Sequence, residues 1–218
     1  MSAATAPGFA TRQIGEIAAA LPGATAVFRR RSLDFCCGGA VRLVDAVAPE
    51  ALTAIEAELA ALAPGAPEAP EETGALIDHI IARYHLVHRA QVPELVRLAR
   101  RVEAVHRDHP DVPRGLADLL TRIEWEMGEH MQKEEQGLFP MLRVGHGPTI
   151  AMALMRDEHD DHGARLRQLA AITHAHEPPE DACNSWRALY AGTAHFAEDL
   201  TQHIHLENNV LFPRFEDA

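Results

Sequence analysis

Apolar residues recur three and four positions apart along most of the chain, the period of a helix with one buried face, and no stretch alternates convincingly as a strand would. Four long helices are predicted in the second part of the chain. The first spans 73–108, with Pro93 kinking or splitting it, and the second runs from Val112-Pro113 to Phe139-Pro140. The third covers 148–174 and the fourth 181–213, ending at Phe212-Pro213. Long helices joined by short connections predict an antiparallel four-helix bundle, so the fold class is all-α. Ahead of it, shorter patterns predict helices over 11–21, stopped by Pro22-Gly23, and over 24–31, 40–47 and 49–62, the last with Pro49 suited to a first helical position. The stretch Ala63-Pro64-Gly65-Ala66-Pro67-Glu68-Ala69-Pro70 cannot continue a helix and reads as a linker. The expected organisation is therefore a small helical domain over 1–63, a linker over 64–72 and the bundle over 73–218. Sixty residues bury little core, so the small domain is expected to lean on the larger one or on a second copy of the chain.

Charge narrows the function. The 218 residues carry a formal charge of −12, of which −10 falls in residues 71–218. Such a chain suits cations and is a poor match for nucleic acid or an anionic membrane surface. No apolar run approaches the roughly 20 residues that span a bilayer, and the first residues lack the pattern of a signal peptide. Three cysteines, two of them adjacent, do not make a secreted disulfide framework, so a cytoplasmic protein is expected. All 14 histidines lie between His79 and His205, so histidine chemistry belongs to the bundle alone.

Two segments of the bundle repeat one another. His130 is followed by Glu134 and then Leu138-Phe139-Pro140; His203 is followed by Glu207 and then Leu211-Phe212-Pro213. Upstream, His85 and His88 precede the first segment much as His159 and His162 precede the second. The bundle thus reads as a duplicated hairpin, each copy supplying one upstream histidine and a His-x-x-x-Glu pair. Residues four apart lie one above the other on a helix, so each pair can grip a metal from one face. Facing sets from two hairpins build a two-metal, carboxylate-bridged centre. Four imidazoles and two bridging glutamates, without sulfur, suit iron or manganese. An oxide or hydroxide bridge would raise the ligand count to five and leave a position for a small molecule. Spacing alone does not separate His85 from His88 or His159 from His162. His205 and Glu135 should point away from the site, and Cys183 reads as a packing residue.

The bundle resembles hemerythrin-like domains. Together with Leu33-Asp34-Phe35-Cys36-Cys37-Gly38-Gly39 and the segments around Tyr84-His85, Glu129–Glu135 and His203–Pro213, nearly the whole chain resembles the repair-of-iron-centres family of bacterial di-iron proteins. The resemblance implies that His85, His130, His159 and His203 are imidazole ligands of two iron ions, with Glu134 and Glu207 bridging. It implies a cytoplasmic stress protein that restores damaged iron–sulfur clusters, whose partners are the damaged cluster proteins and small ligands such as nitric oxide or oxygen. It also suggests that Glu126 and Glu158 line a path from the metals to the surface.

The reading this favours is iron supply from a labile di-iron centre. Reduction of nitric oxide to nitrous oxide at the same centre is the alternative, and an oxygen carrier or sensor the third. Cys36 and Cys37 are candidates for a thiol switch or a transient iron acceptor, because adjacent cysteines form only a strained, easily reduced disulfide.

Overall fold

The computed structural model describes residues 8–62 and 69–216 and is helical throughout, with no strand among the described residues. Most of the expected linker, residues 63–68, lies outside the described residues. The chain divides into two compact units, residues 77–203 and residues 1–76 together with 204–218. The second unit thus joins the chain's beginning to its last turns.

The helices of residues 1–76 are α1 (Ile14–Ala20), α2 (Ala24–Arg30), α3 (Leu43–Ala46), α4 (Pro49–Ala60) and α5 (Thr73–Ile80), of which the last continues into residues 77–80. Pro49 occupies the first turn of α4, where its missing N–H costs nothing. The apolar faces of α1 to α4 close on one cluster, with Ile14, Ile17, Val27, Phe28, Phe35, Leu43, Ile55 and Leu59 buried together. This is a small core. It is extended by the last turns of the chain, which lie against α1 and the cysteine loop through Asn208 and Asn209.

Residues 77–203 hold α6 (Leu86–Val105), α7 (Leu116–Lys133), α8 (Phe139–Arg143), α9 (Thr149–Ile172) and most of α10 (Asn184–Leu206). Cross-links fix an antiparallel arrangement. Arg83 pairs with Asp199 at 2.7 Å while Gln91, two turns on, donates to the Gly192 carbonyl. Lys133 reaches Glu158 at 2.6 Å while Glu126, two turns earlier, accepts both arms of Arg165. Trp186, Tyr190 and Phe196 of α10 are buried in the interior.

Two features differ from the expected helices. The first helix runs unbroken through Pro93; the break in regular winding comes earlier, in a π turn over Ile81–His85. Two further π turns occupy Glu134–Leu138 and Glu207–Leu211. The last two share a cause in the repeat: Pro140 and Pro213 lack an N–H and their rings crowd the carbonyl four residues back, so the preceding turn opens wider. Each wide turn contains one of the expected ligands, His85, Glu134 or Glu207.

Candidate metal centre

Four buried imidazoles meet in pairs inside residues 77–203. His85 closes the first π turn and His203 comes from α10; their Nε2 atoms are 3.1 Å apart. His130 of α7 and His159 of α9 form the matching pair, also 3.1 Å between Nε2 atoms. Glu134, wholly buried, stands between the pairs. Its Oε2 lies 3.4 Å from His85 Nε2 and its Oε1 3.4 Å from His130 Nε2. The donor atoms of His85, Glu134 and His203 all fall within 4.8 Å of one another, as do those of His130, Glu134 and His159.

These distances fit a metal on each side of Glu134. Two ligands at right angles on an ion with bonds of about 2.1 Å are separated by about 3.0 Å, close to both imidazole spacings. A carboxylate buried among imidazoles is costly to hold without a cation, whereas one whose two oxygens face two ions is well placed. The nitrogen and oxygen donors, with no sulfur, suit iron or manganese.

The outer ring nitrogens of His85 and His130 are held as well. Glu135 Oε1 takes His85 Nδ1 at 2.8 Å and is itself gripped by Arg89 at 2.7 Å. Glu158 Oε2 takes His130 Nδ1 at 2.8 Å and its other oxygen takes Lys133. In each case a carboxylate accepting the Nδ1–H leaves the Nε2 lone pair facing inward, the tautomer a metal ligand needs. The hydrogen bond from His130, with that from Lys133, outweighs burial and pulls the Glu158 carboxyl down to about 2. Burial opposes the same effect at Glu135, but Arg89 and His85 together hold it below the usual range.

Aromatic rings wall the pairs. Tyr84 stacks on His203 at 5.5 Å and nearly parallel, and Phe139 lies 5.7 Å from His85. The two upstream histidines of each half take different places. His85 faces Glu134, while His88, also buried, lies behind His203 against Phe196. His159 faces His130 Nε2, while His162 sits edge-on to the His130 ring at 5.0 Å. Burial and the neighbouring imidazoles of His130, His159 and His203 lower the His162 pKa to about 3, so its ring is neutral.

Glu207 is wholly buried and opens the π turn that continues α10, one turn beyond His203 on the same continuous helix. Glu126 and Glu158 line a cavity of about 220 Å³ with Trp125, Glu129, Lys133, Asp161 and His162. Both carboxylates are committed, Glu126 to Arg165 and Glu158 to His130 and Lys133.

The cysteine loop belongs to the other compact unit. Cys36 is buried and Cys37 half-buried, with their Sγ atoms 3.7 Å apart and no disulfide between them. Asp34 Oδ1 accepts from the Cys37 N–H at 3.0 Å and lies 3.3 Å from Cys36 Sγ. The hydrogen bond with Cys37, burial and the nearby Asp34 all push the Cys36 thiol up, keeping it protonated. The Cys36 carbonyl accepts from Asn208 at 3.1 Å and from Asn209 at 3.3 Å. Asn209 can enter because residues 15 and 39 are glycines. A Cβ at either would stand 2.3 or 2.7 Å from its Oδ1.

Several residues escaped the sequence reading. Glu135 was expected to point aside, yet it orients His85; a carboxylate repeated next to Glu134 was the only signal. His205 is buried against Phe35 at 5.3 Å and accepts from Asn209, a role the sequence did not signal. Cys183 is exposed, not packed, and lies 3.2 Å from His106 Nε2.

Comparison with known proteins agrees with this geometry. Residues 76–215 match the hemerythrin HHE cation-binding domain, and residues 10–63 match a domain of unknown function, DUF542. The chain is 47% identical to the iron-sulfur cluster repair protein YtfE of Citrobacter koseri, over 94% of its own length and 97% of the relative's. It is 45% identical to the protein of the same name from Dickeya chrysanthemi, over 93% and 96%. A probable iron-sulfur cluster repair protein of Haemophilus influenzae is 44% identical over 94% and 97%. A buried histidine–glutamate cluster in an all-helical bundle, matched over nearly the full length, makes this chain a member of the hemerythrin-domain family of iron–sulfur cluster repair proteins.

Proposed function

We propose that the protein carries two iron ions and supplies iron to proteins whose iron–sulfur clusters have been damaged. His85 and His203 would hold one ion, His130 and His159 the other, with Glu134 and Glu207 shared between them. The observation that carries this reading is the placement of Glu134, one oxygen toward each histidine pair. Iron bound there would supply a labile, redox-active metal able to take nitric oxide or oxygen at open positions.

The chain's own groups favour a holder that lets go. Glu135 and Glu158 keep the inner nitrogens unprotonated, and Tyr84 and Phe139 keep the rings in place. Two imidazoles and two shared carboxylates leave an octahedral ion short of ligands, which weakens retention. The relatives named above bear repair names, and none of the three is named for nitric oxide reduction, so no observation favours the reductase reading. No helix among the described residues is long and apolar enough to cross a membrane, in keeping with action on cytoplasmic cluster proteins.

Anaerobic incubation of the ⁵⁷Fe-loaded protein with an apo cluster protein and sulfide tests the proposal. Labelled iron should appear in the rebuilt cluster. Retention of all label by the donor would overturn it.

A further inference from the structure

The loop between α2 and α3 brings three ligating groups together. Asp34 Oδ1 lies 3.3 Å from Cys36 Sγ, and the two cysteine sulfurs are 3.7 Å apart. One donor atom from each of Asp34, Cys36 and Cys37 falls within 4.8 Å of the others. Two thiolates on one tetrahedral ion, with bonds of about 2.3 Å, are separated by about 3.8 Å, and a carboxylate oxygen bound at about 2.0 Å stands about 3.5 Å from each sulfur. The loop already has nearly that shape.

Several contacts hold it so. Asp34 can fold close to the cysteines because residue 38 is a glycine: a Cβ there would stand 2.9 Å from the Asp34 carbonyl oxygen and 3.3 Å from its Cγ. The Cys37 N–H donates to Asp34 Oδ1 at 3.0 Å, and Asn208 and Asn209 both donate to the Cys36 carbonyl. The hydrogen bond with Cys37, burial, and the charges of Cys37 and Asp34 all keep the Cys36 proton in place. Three such groups accumulate negative charge poorly by themselves. A cation among them reverses that balance, since a coordinated thiol is deprotonated outright.

We infer that Asp34, Cys36 and Cys37 form a site for one thiophilic divalent cation of the zinc or ferrous class. Two sulfurs and one oxygen suit such an ion and not magnesium or calcium, which take oxygen donors. Binding exchanges the two thiol protons for the metal ion, and both protons pass to water. Cys36 is the buried floor of the site, Cys37 is half-buried and Asp34 exposed, so the fourth tetrahedral position opens toward solvent. Three protein ligands and an open fourth position mark a working site, whereas a closed set of four marks a structural one. The site stands on the loop's own geometry and not on the iron-supply reading.

The full-length Cys183→Ser protein, reduced, anaerobic and carrying its iron, is titrated with Co²⁺ while absorption is followed. Only cysteine ligands give a thiolate-to-cobalt charge-transfer band, and tetrahedral geometry gives intense visible bands. One Co²⁺ per chain should develop both, and Zn²⁺ should bleach them. Cys37→Ser should lower the charge-transfer intensity, and Asp34→Asn should weaken binding at least about tenfold. Both positions reach the surface, so these variants carry the test if Cys36→Ser, at a buried position, fails to fold. Zinc retained through purification at one per chain, and lost in both variants, would be the same result. Absence of a sulfur-to-cobalt band together with absence of such zinc, or binding unaltered in both variants, overturns the site. Failure to pass iron to the apo cluster protein would overturn the proposed function alone.

Discussion

Asn208 donates its side-chain amide to the Cys36 carbonyl at 3.1 Å from the position directly after Glu207. The residue that follows an expected metal ligand therefore clamps the cysteine loop, and Asn209 adds a second hand at 3.1 Å to the Phe35 carbonyl. Asn208→Ala should loosen the loop while leaving the helices intact. Cys36 is buried and its thiol is kept protonated, so in the wild type it should alkylate last, after the exposed Cys183 and half-buried Cys37. The variant should narrow that gap, as mass-resolved labelling with a maleimide would show; an unchanged order and rate would mean the clamp does not restrain the loop.

Gly39→Ala tests the same contact from the other side. The added Cβ would meet Asn209 Oδ1 at 2.7 Å and the Phe35 carbonyl at 2.8 Å. Backbone cannot give way cheaply, so a loss of about 1–3 kcal/mol is expected in urea unfolding.

Glu134 faces both histidine pairs, whereas each histidine faces one. Glu134→Gln should therefore lower iron content at both positions, below half of the wild-type value, and His159→Ala should remove chiefly one ion. Metal analysis of anaerobically purified variants separates the two patterns.

Glu135→Gln and Glu158→Gln leave the imidazoles in place but weaken the acceptor behind His85 or His130. Loss of such a partner costs on the order of 10- to 100-fold in metal affinity. Both variants should surrender iron to a chelator faster than wild type, and by similar factors, since the two partners hold equivalent nitrogens at the same 2.8 Å.

His205 predicts a pH dependence of folding. Burial lowers its pKa to about 4, against 6.5 for an exposed ring. Above pH 6.5 the ring is neutral in both states and stability is complete. As pH falls from 6.5 toward 4 the unfolded chain takes a proton that the folded chain refuses, and stability drops by up to about 3 kcal/mol. His205→Gln should flatten that slope in urea unfolding of the metal-free protein between pH 4.5 and 7.

The sequence made parts of this molecule readable because they repeat. His130, Glu134, His203 and Glu207 stand in one frame twice over, and helical phase puts the two members of each pair on one face of their helix. The upstream members were not separable, since His85 and His88, or His159 and His162, differ by less than one turn and all four are buried. Glu158 directly precedes His159 in the chain but bonds His130 on the neighbouring helix, a relation that no single-helix argument contains. The π turns were unreadable for a related reason: the prolines announced an ending, while the effect lies in the turn before them. Asn208 and Asn209 resembled ordinary polar residues because their partners lie more than 170 positions away.

An α-helix advances about 100° per residue, so each five-residue ring in place of a four-residue one shifts all that follows by one step. Beyond Glu134 that step seats Phe139 and Leu142 in the interior, where both are buried. Removing one residue, Gln136, would restore ordinary winding and leave those two side chains in phase, whereas closing the turn with every residue kept would carry them about 100° round the helix. The extra residue therefore acts on the turn that begins at Glu134 itself, and its loss would disturb that carboxylate while sparing the helix after it.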